Sequence, residues 1–509
     1  MSDISTNNKR IAKNTLVLYV RMFLMMAISL YTSRVVLKTL GVEDFGIFNV
    51  VGGIVSMMGV INGAMSVSTT RYLTFELGRG DMVKLKQTLS MCVNIYGLLA
   101  ILLFVLSETI GVWFLNTQLV IPEDRMVAAN WLFQFSILST IFSLLTNPYN
   151  AVIISREKMN IFAYISLADT ILKLAIVYVL LVVPFDKLVI YGLMLMFLHI
   201  LNASVYFIYC NKKYQESRYS FYWDTPLFKE LLSYTGWNLF GSFSTLAKGQ
   251  GLNILLNMFF NPSVNAARGI AYQVNTTVSH FFTNFYTAVR PQITKYYAQN
   301  DLNNMFKLVF RSSRMAFFLI LLISLPLVIE APYVIRLWLG QLPEFVVPFM
   351  RLILVITAVD AMANPLMTTA HATGKIALYQ SLVGTMTILN VPISYVFLSL
   401  GYGPVIVFEI SLVIAGANLF LRLWIVKRLV DFPVLEYIRK VFLNCLIVTV
   451  LAALIPVVVN EFVTDDFIGV LIVCSLAVLS TLVATYIAGL DRNERTFVLE
   501  FAKKILKRK

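Results

Sequence analysis

Fourteen stretches of about twenty mostly apolar residues recur along this 509-residue chain, and that recurrence makes a lipid bilayer the solvent in which it must fold. They centre near Phe23, Ser56, Ala100, Ile137, Leu172, Phe197, Thr245, Val278, Leu321, Thr357, Thr387, Leu412, Val450 and Leu476. At about 1.5 Å of rise per residue, twenty helical residues cross a hydrocarbon core of roughly 30 Å. Backbone N–H and C=O groups in lipid must be satisfied within the chain, so each stretch predicts a helix and the whole an all-α polytopic membrane protein. The composition agrees: 58% of the residues are hydrophobic and 13% are charged, against about 25% charged in soluble domains.

Charge orients the spans. With the N-terminus in the cytoplasm, 31 of the 41 Lys and Arg fall on inner segments, five at the outer boundary and five within spans. This bias predicts 14 transmembrane helices with both termini cytoplasmic. The net charge of +14 is then mostly a topology signal and an attraction to anionic lipid. Membrane lipids are expected partners; nucleic acid is not. The apolar run after Lys9, Arg10 and Lys13 is too long for a signal-peptide core and predicts an uncleaved first helix. Cys92, Cys210, Cys445 and Cys474 are scattered without C-x-x-C spacing, and His199, His280 and His371 sit on different spans. No disulfide framework, metal site or cofactor is expected from them.

The chain also repeats. "TLGVEDFGIFNVVGG" leading to "TTRYLTFELGRGDMVKL" returns about 220 residues later as "FFNPSVNAARGIAYQV" leading to "AVRPQITKYYAQNDLNNM". Arg71 then matches Arg290, and Asp81 matches Asp301 after a one-residue insertion. Six spans separate the copies, an even number, so both have the same orientation. The expected architecture is two six-helix lobes as a parallel repeat, 1–220 and 221–430, plus two extra C-terminal helices and a basic amphipathic tail in 431–509. "FYWDTPLFKELL" and "RTFVLEFAKKILKRK" read as interfacial amphipathic helices.

Charges inside the spans cost roughly 2.5 to 3.5 kcal/mol each at mid-bilayer and need a reason. Arg21 lies about ten residues, or about 15 Å, into the first span and shares a face with Asn14 and Thr32. Either a structural hydrogen bond or a functional site accounts for it. Arg34 is close enough to the outer boundary to snorkel. Lys248, in the seventh span, shares a stripe with Trp237, Gly241, Ser244 and Gly251, which suits a polar cavity or close helix packing. Arg268, Tyr272, Asn275 and Ser279 recur at helical spacing and must face one way. Asp169 and Lys173, spaced i,i+4, suit a structural pair. Asp360 and Asn364, beside the helix breaker Pro365, and Glu409 are possible coupling-ion ligands.

The Gly41, Asp44, Phe45, Gly46 pattern, the "TTRYLTFELGRGD" loop, the fourteen spans and the six-plus-six repeat resemble the oligosaccharide and polysaccharide (O-antigen type) flippases. These belong to the multidrug, oligosaccharidyl-lipid and polysaccharide exporter superfamily. The resemblance implies a multi-pass protein of the bacterial inner membrane that flips undecaprenyl-diphosphate-linked oligosaccharide by alternating access, for lipopolysaccharide or related polysaccharide biosynthesis. It also implies a cationic cavity fitted by Arg21 or Arg34 and by Arg268, and glycan-assembly proteins as partners. Arginine offers a planar fork for phosphate and lysine a movable charge. A multidrug antiporter of the same superfamily is the rival, although its organic-cation site should be dominated by Asp and Glu. A glycan polymerase would need an extramembrane catalytic loop, and the longest outer connections are under about twenty residues. No catalytic residues are therefore expected, and the chain reads as a transporter and not an enzyme.

Overall fold

A computed structural model describes residues 2–56, 59–117, 121–260, 262–340, 342–464, 466–492 and 494–496. The described chain is built from helices: α1 (Ser2–Ser56), α2 (Gly59–Arg79), α3 (Met82–Thr117), α4 (Glu123–Ser155), α5 (Met159–Leu180) and α6 (Lys187–Lys213). Then come α7 (Thr225–Phe259), α8 (Pro262–Ala298), α9 (Leu302–Ile329), α10 (Ala331–Leu339) and α11 (Val346–Ala372). Last are α12 (Ala377–Ser399), α13 (Ile406–Val430), α14 (Val434–Asn460) and α15 (Phe467–Gly489).

Ten of these helices are long and apolar enough to cross a membrane. The other four expected spans fall on α1, α2, α7 and α8, the opening pair of each sequence repeat, and the side chains of parts of α1 and α2 lie outside the described residues. α8 is polar along much of its length, carrying Arg268, Gln273, Asn275, Thr276, Thr277, Ser279 and His280.

Gly41 interrupts α1 with φ 82 and ψ 171, a left-handed-side backbone open to glycine, and so splits the first span from the second. The repeat is visible at the next turn. Gly80 and Asn300 both adopt positive φ, and the carboxylates of Asp81 and Asp301 then cap α3 and α9 by accepting from Lys84 N (2.9 Å) and Asn304 N (3.2 Å). Two chain segments 220 residues apart thus make one turn by the same chemistry, an αL residue followed by an Asp N-cap.

The chain forms two compact units. Unit 1 is Met1–Ser242 with Thr294–Asn300, and unit 2 is Phe243–Ile293 with Asp301–Lys509. The first half of α7 and the last turns of α8 therefore pack with the N-terminal helices, although both belong by sequence to the second repeat.

In unit 1, α4 packs along α6, and α1 packs along α5. At one end Ile47, Leu115, Leu132, Phe133 and Leu188 form a buried cluster, and at the other Leu73, Leu89, Tyr149, Val152 and Tyr206 do the same. Arg125 ties the first end together, bonding Asp44 at 2.8 and 2.7 Å and Asp186 at 2.6 Å. Burial raises the Asp186 carboxyl, but the hydrogen bonds from Arg125 and from Val189 N–H outweigh it and hold the group below the usual carboxylate range. The opposite end is fastened by Glu157, in the α4–α5 turn at φ 57 with its side chain 1% exposed. Its carboxylate takes Arg10 at 2.8 Å and Lys295 at 2.5 Å, and its carbonyl accepts from Asn14 Nδ2 at 3.2 Å.

In unit 2, α9 and α13 flank α11, and α14 pairs with α15. Arg314 on α9 holds Asp491 at 2.8 Å and Glu494 at 3.2 Å, which fixes the chain beyond α15. The rest of the basic tail, 497–509, lies outside the described residues.

Candidate functional site

The polar residues of unit 2 gather along the facing sides of α7, α8, α11 and α13. Arg268 Nη2 donates to the Gly249 carbonyl at 2.6 Å and Nη1 to Asn253 Oδ1 at 3.1 Å, so one guanidinium staples α8 to α7. The same group lies 4.4 Å from the Tyr272 ring centroid, a cation–π contact between residues spaced i,i+4. One turn further, Asn275 Oδ1 accepts from Thr357 Oγ1 of α11. Ser279 follows on that face, half-buried. Of the helical line read from the sequence, Arg268 and Asn275 make interhelical hydrogen bonds.

Lys248 stands beside Gly249 on α7, within Coulombic reach of Asp360 and Arg268. A Cβ on Gly251 would come within 2.7 Å of Val391 Cγ2, so this glycine permits close approach to α12. Asp360 faces Arg422 of α13 at 3.8 Å; the carboxylate side chain is 46% exposed and the guanidinium 15%. Asn364 lies one turn on from Asp360. Its amide donates to the Asp360 backbone carbonyl at 2.8 Å, and its own carbonyl accepts from Tyr286 Oη at 2.6 Å. The expected break at Pro365 is absent, because α11 runs on through the proline to Ala372. Glu409 is exposed in the first turn of α13, and no hydrogen bond or ion pair among the described residues joins it to Asp360.

Within unit 1 the intramembrane cation of note is Arg21. Its guanidinium lies 4.4 Å from the Phe162 ring centroid on α5 and within Coulombic reach of Tyr206 on α6. Nε and Nη1 are buried and have no hydrogen-bond partner among the described residues. Asn14, on the same helix, is engaged with the Glu157 carbonyl and does not meet Arg21. Arg34's side chain lies outside the described residues. Asp169 accepts from Asn202 at 2.5 Å and pairs with Lys173 at 2.9 Å, the local neutralisation that its spacing predicts. A wide-open cavity of about 530 Å³ is lined by Arg79, Asp81, Lys84 and Gln299 at the Gly80 turn, apart from these intramembrane cations.

Arg422 is a further charged residue, not singled out from the sequence. It precedes Lys427 and Arg428, which occupy the last turn of the same helix, α13, and its guanidinium faces Asp360 of α11. The signal was Asn418, four residues earlier and buried: two polar groups at i,i+4 near the end of an apolar run share an inward face.

No family model matches the chain, and neither does any curated protein. Solved structures do. An outward-facing multidrug resistance MATE family transporter of the MOP superfamily superposes with a TM-score of 0.71 over 83% of this chain and 97% of its own, at 12% identity. A MATE protein in complex with MaD3S gives 0.69 over 84% and 97%, at 13% identity. A MOP superfamily transporter from Pyrococcus furiosus, whose binding pocket of reverse polarity suggests a different function, gives 0.68 over 83% and 96%, at 13% identity. The chain thus shares its fold with these solved transporters.

Proposed function

We propose that this protein is a transporter, and not an enzyme, whose cargo is a lipid-linked oligosaccharide on a diphosphate carrier. The carrying observation is the charge inside unit 2: Lys248 and Arg422 lie near the carboxylate of Asp360, and Arg268 lies near Lys248. Cations in a membrane interior are costly and call for an anionic counterpart. Arg21, with two buried nitrogens that lack partners among the described residues, adds a donor set in unit 1 suited to phosphate oxygens. Asn, Thr and Tyr groups around these cations suit sugar hydroxyls. The polyprenyl tail stays in lipid while the headgroup crosses by alternating access, in a bacterial inner membrane and alongside glycan-assembly proteins. A diphosphate carries about two negative charges, so a potential of 100 mV, negative inside, would favour outward movement by up to about 4 to 5 kcal/mol.

The second reading is multidrug export, favoured by the likeness in fold to a multidrug resistance MATE family transporter. The P. furiosus neighbour is described by a pocket of reverse polarity and a different function, so one fold accommodates more than one chemistry. Purified protein in liposomes separates the readings. Voltage-sensitive flipping of lipid-linked oligosaccharide is expected; accumulation of a cationic dye without glycan flipping would replace this proposal by the second reading. The fourteen-span topology has its own test. Single cysteines at Asn116 and Thr464 in a cysteine-free background should react with an impermeant thiol reagent added outside intact cells, and one at Gln299 should not.

A further inference from the structure

The arginines that hold this fold together are tightly clamped. Arg125 meets its carboxylates at 2.6 and 2.7 Å, and Arg314 meets its own at 2.8 and 3.2 Å. Arg422 is held differently. Its Nη1 is 3.8 Å from Asp360, beyond hydrogen-bond range, and its buried Nε has no partner among the described residues. Its other electrostatic neighbours are the phenols of Tyr379, Tyr286 and Tyr437, which are neutral at ordinary pH and leave the charge of the guanidinium unmatched. A guanidinium carries five donors in a planar fork, so Arg422 retains capacity for an anion. Of the two partners the carboxylate is the accessible one, 46% exposed against 15%, so it can turn away while the arginine stays covered.

We propose that Asp360 stands in for the cargo's phosphate on Arg422 and is displaced by it, which makes Arg422 a further anion-binding residue and Asp360 its built-in competitor. The inference rests on the proposed function. Exchange needs no ionised group to be left alone in the membrane. When phosphate reaches Arg422, the released Asp360 carboxylate still has Lys248 in Coulombic reach. With a diphosphate present, three cations, Lys248, Arg268 and Arg422, face about three negative charges, where the unloaded site has one. An occupied-when-empty arginine also discriminates. A neutral or cationic molecule cannot displace a carboxylate, whereas a dianion can.

The test is titration of inorganic pyrophosphate into the purified intact chain by calorimetry. Asp360→Asn, which keeps shape and removes the competitor, should bind pyrophosphate about tenfold more tightly than the parent. Arg422→Gln should bind about tenfold more weakly, and in the Arg422→Gln background Asp360→Asn should gain nothing. Arg422→Lys retains the charge and should fall between, which covers the case in which the glutamine variant does not fold. Unchanged or weaker binding by Asp360→Asn, or a gain that persists without Arg422, overturns the exchange. If the parent binds pyrophosphate through Lys248 and Arg268 under that outcome, the proposed function survives alone. If no variant binds pyrophosphate and the parent binds a cationic dye that Asp360→Asn abolishes, both fall.

Discussion

Asp169 and Asp360 are both carboxylates far from the ends of apolar helices, and the chain treats them in opposite ways. Asp169 is closed locally: Lys173 reaches it from the next turn of the same helix at 2.9 Å, and Asn202 fills a further lone pair at 2.5 Å. Asp360 is open, half-exposed, and opposite a cation on another helix at 3.8 Å. A carboxylate satisfied by its own helix holds structure together, because nothing has to move for it to stay neutralised. One that borrows its cation across a gap is available for exchange. Intramembrane charge is thus informative through its partners, and the sign of the residue alone does not distinguish the two cases.

The comparison can be broken hardest at Arg21, an intramembrane cation of unit 1 with no carboxylate partner among the described residues. Arg21→Ala should lower export of the lipid-linked glycan by more than about tenfold, since charge-assisted bonds to phosphate contribute roughly 1.5 to 3 kcal/mol. The protein should remain in the membrane, because the guanidinium rests against the Phe162 ring and joins no carboxylate among the described residues. Glycan display in cells expressing the variant at parental level measures this, and normal display would remove Arg21 from the site.

The carboxylates themselves come next. Asp169→Ala leaves Lys173 charged without its partner and should cost about 2 kcal/mol of stability, while Asp360→Ala should cost under about 1 kcal/mol. Thermal unfolding in detergent compares them directly; adding Lys173→Ala should recover most of the first loss. Equal losses would erase the distinction between a closed and an open pair. Arg268→Lys offers an intermediate case. It keeps the charge but loses the fork that joins Gly249 O to Asn253, so stability should fall by about 1 kcal/mol while anion binding weakens less than in Arg422→Gln.

The smallest effect is expected in acid. The hydrogen bond from Arg314 holds the Asp491 carboxyl below its usual value. A group depressed in the folded state stabilises fully above the unfolded value, about 3.9, and loses that contribution as pH falls through the lower folded value. Unfolding midpoints should therefore drop below about pH 4, and Asp491→Asn should flatten part of that slope. The carboxylate is largely exposed, so the change should be slight.

The apolar helices were legible because twenty apolar residues have few other uses, and the Asp169–Lys173 pair because four residues is one helical turn. The face of α8 was legible for the same reason. Pairings that depend on which helices become neighbours were not. Arg125 with Asp44 and Asp186 spans 81 and 61 residues, and Arg422 with Asp360 joins two helices whose spacing says nothing about contact. Asn14 was legible as an inward-facing residue but not as a partner for the Glu157 carbonyl, which lies in a turn that sequence periodicity does not describe.

That turn carries a consequence for synthesis. Glu157 is buried against Lys295, 138 residues further along the chain, and unit 1 includes Thr294–Asn300. A ribosome working at roughly 5 to 20 residues per second needs on the order of ten seconds to make the intervening stretch. During that interval the carboxylate has Arg10 but not Lys295. The N-terminal unit thus cannot be finished when its own first six helices have entered the membrane; its closing piece arrives with the end of α8. A chain released after residue 242 should leave the insertion machinery with this ion pair unmade and become a target for quality-control proteolysis.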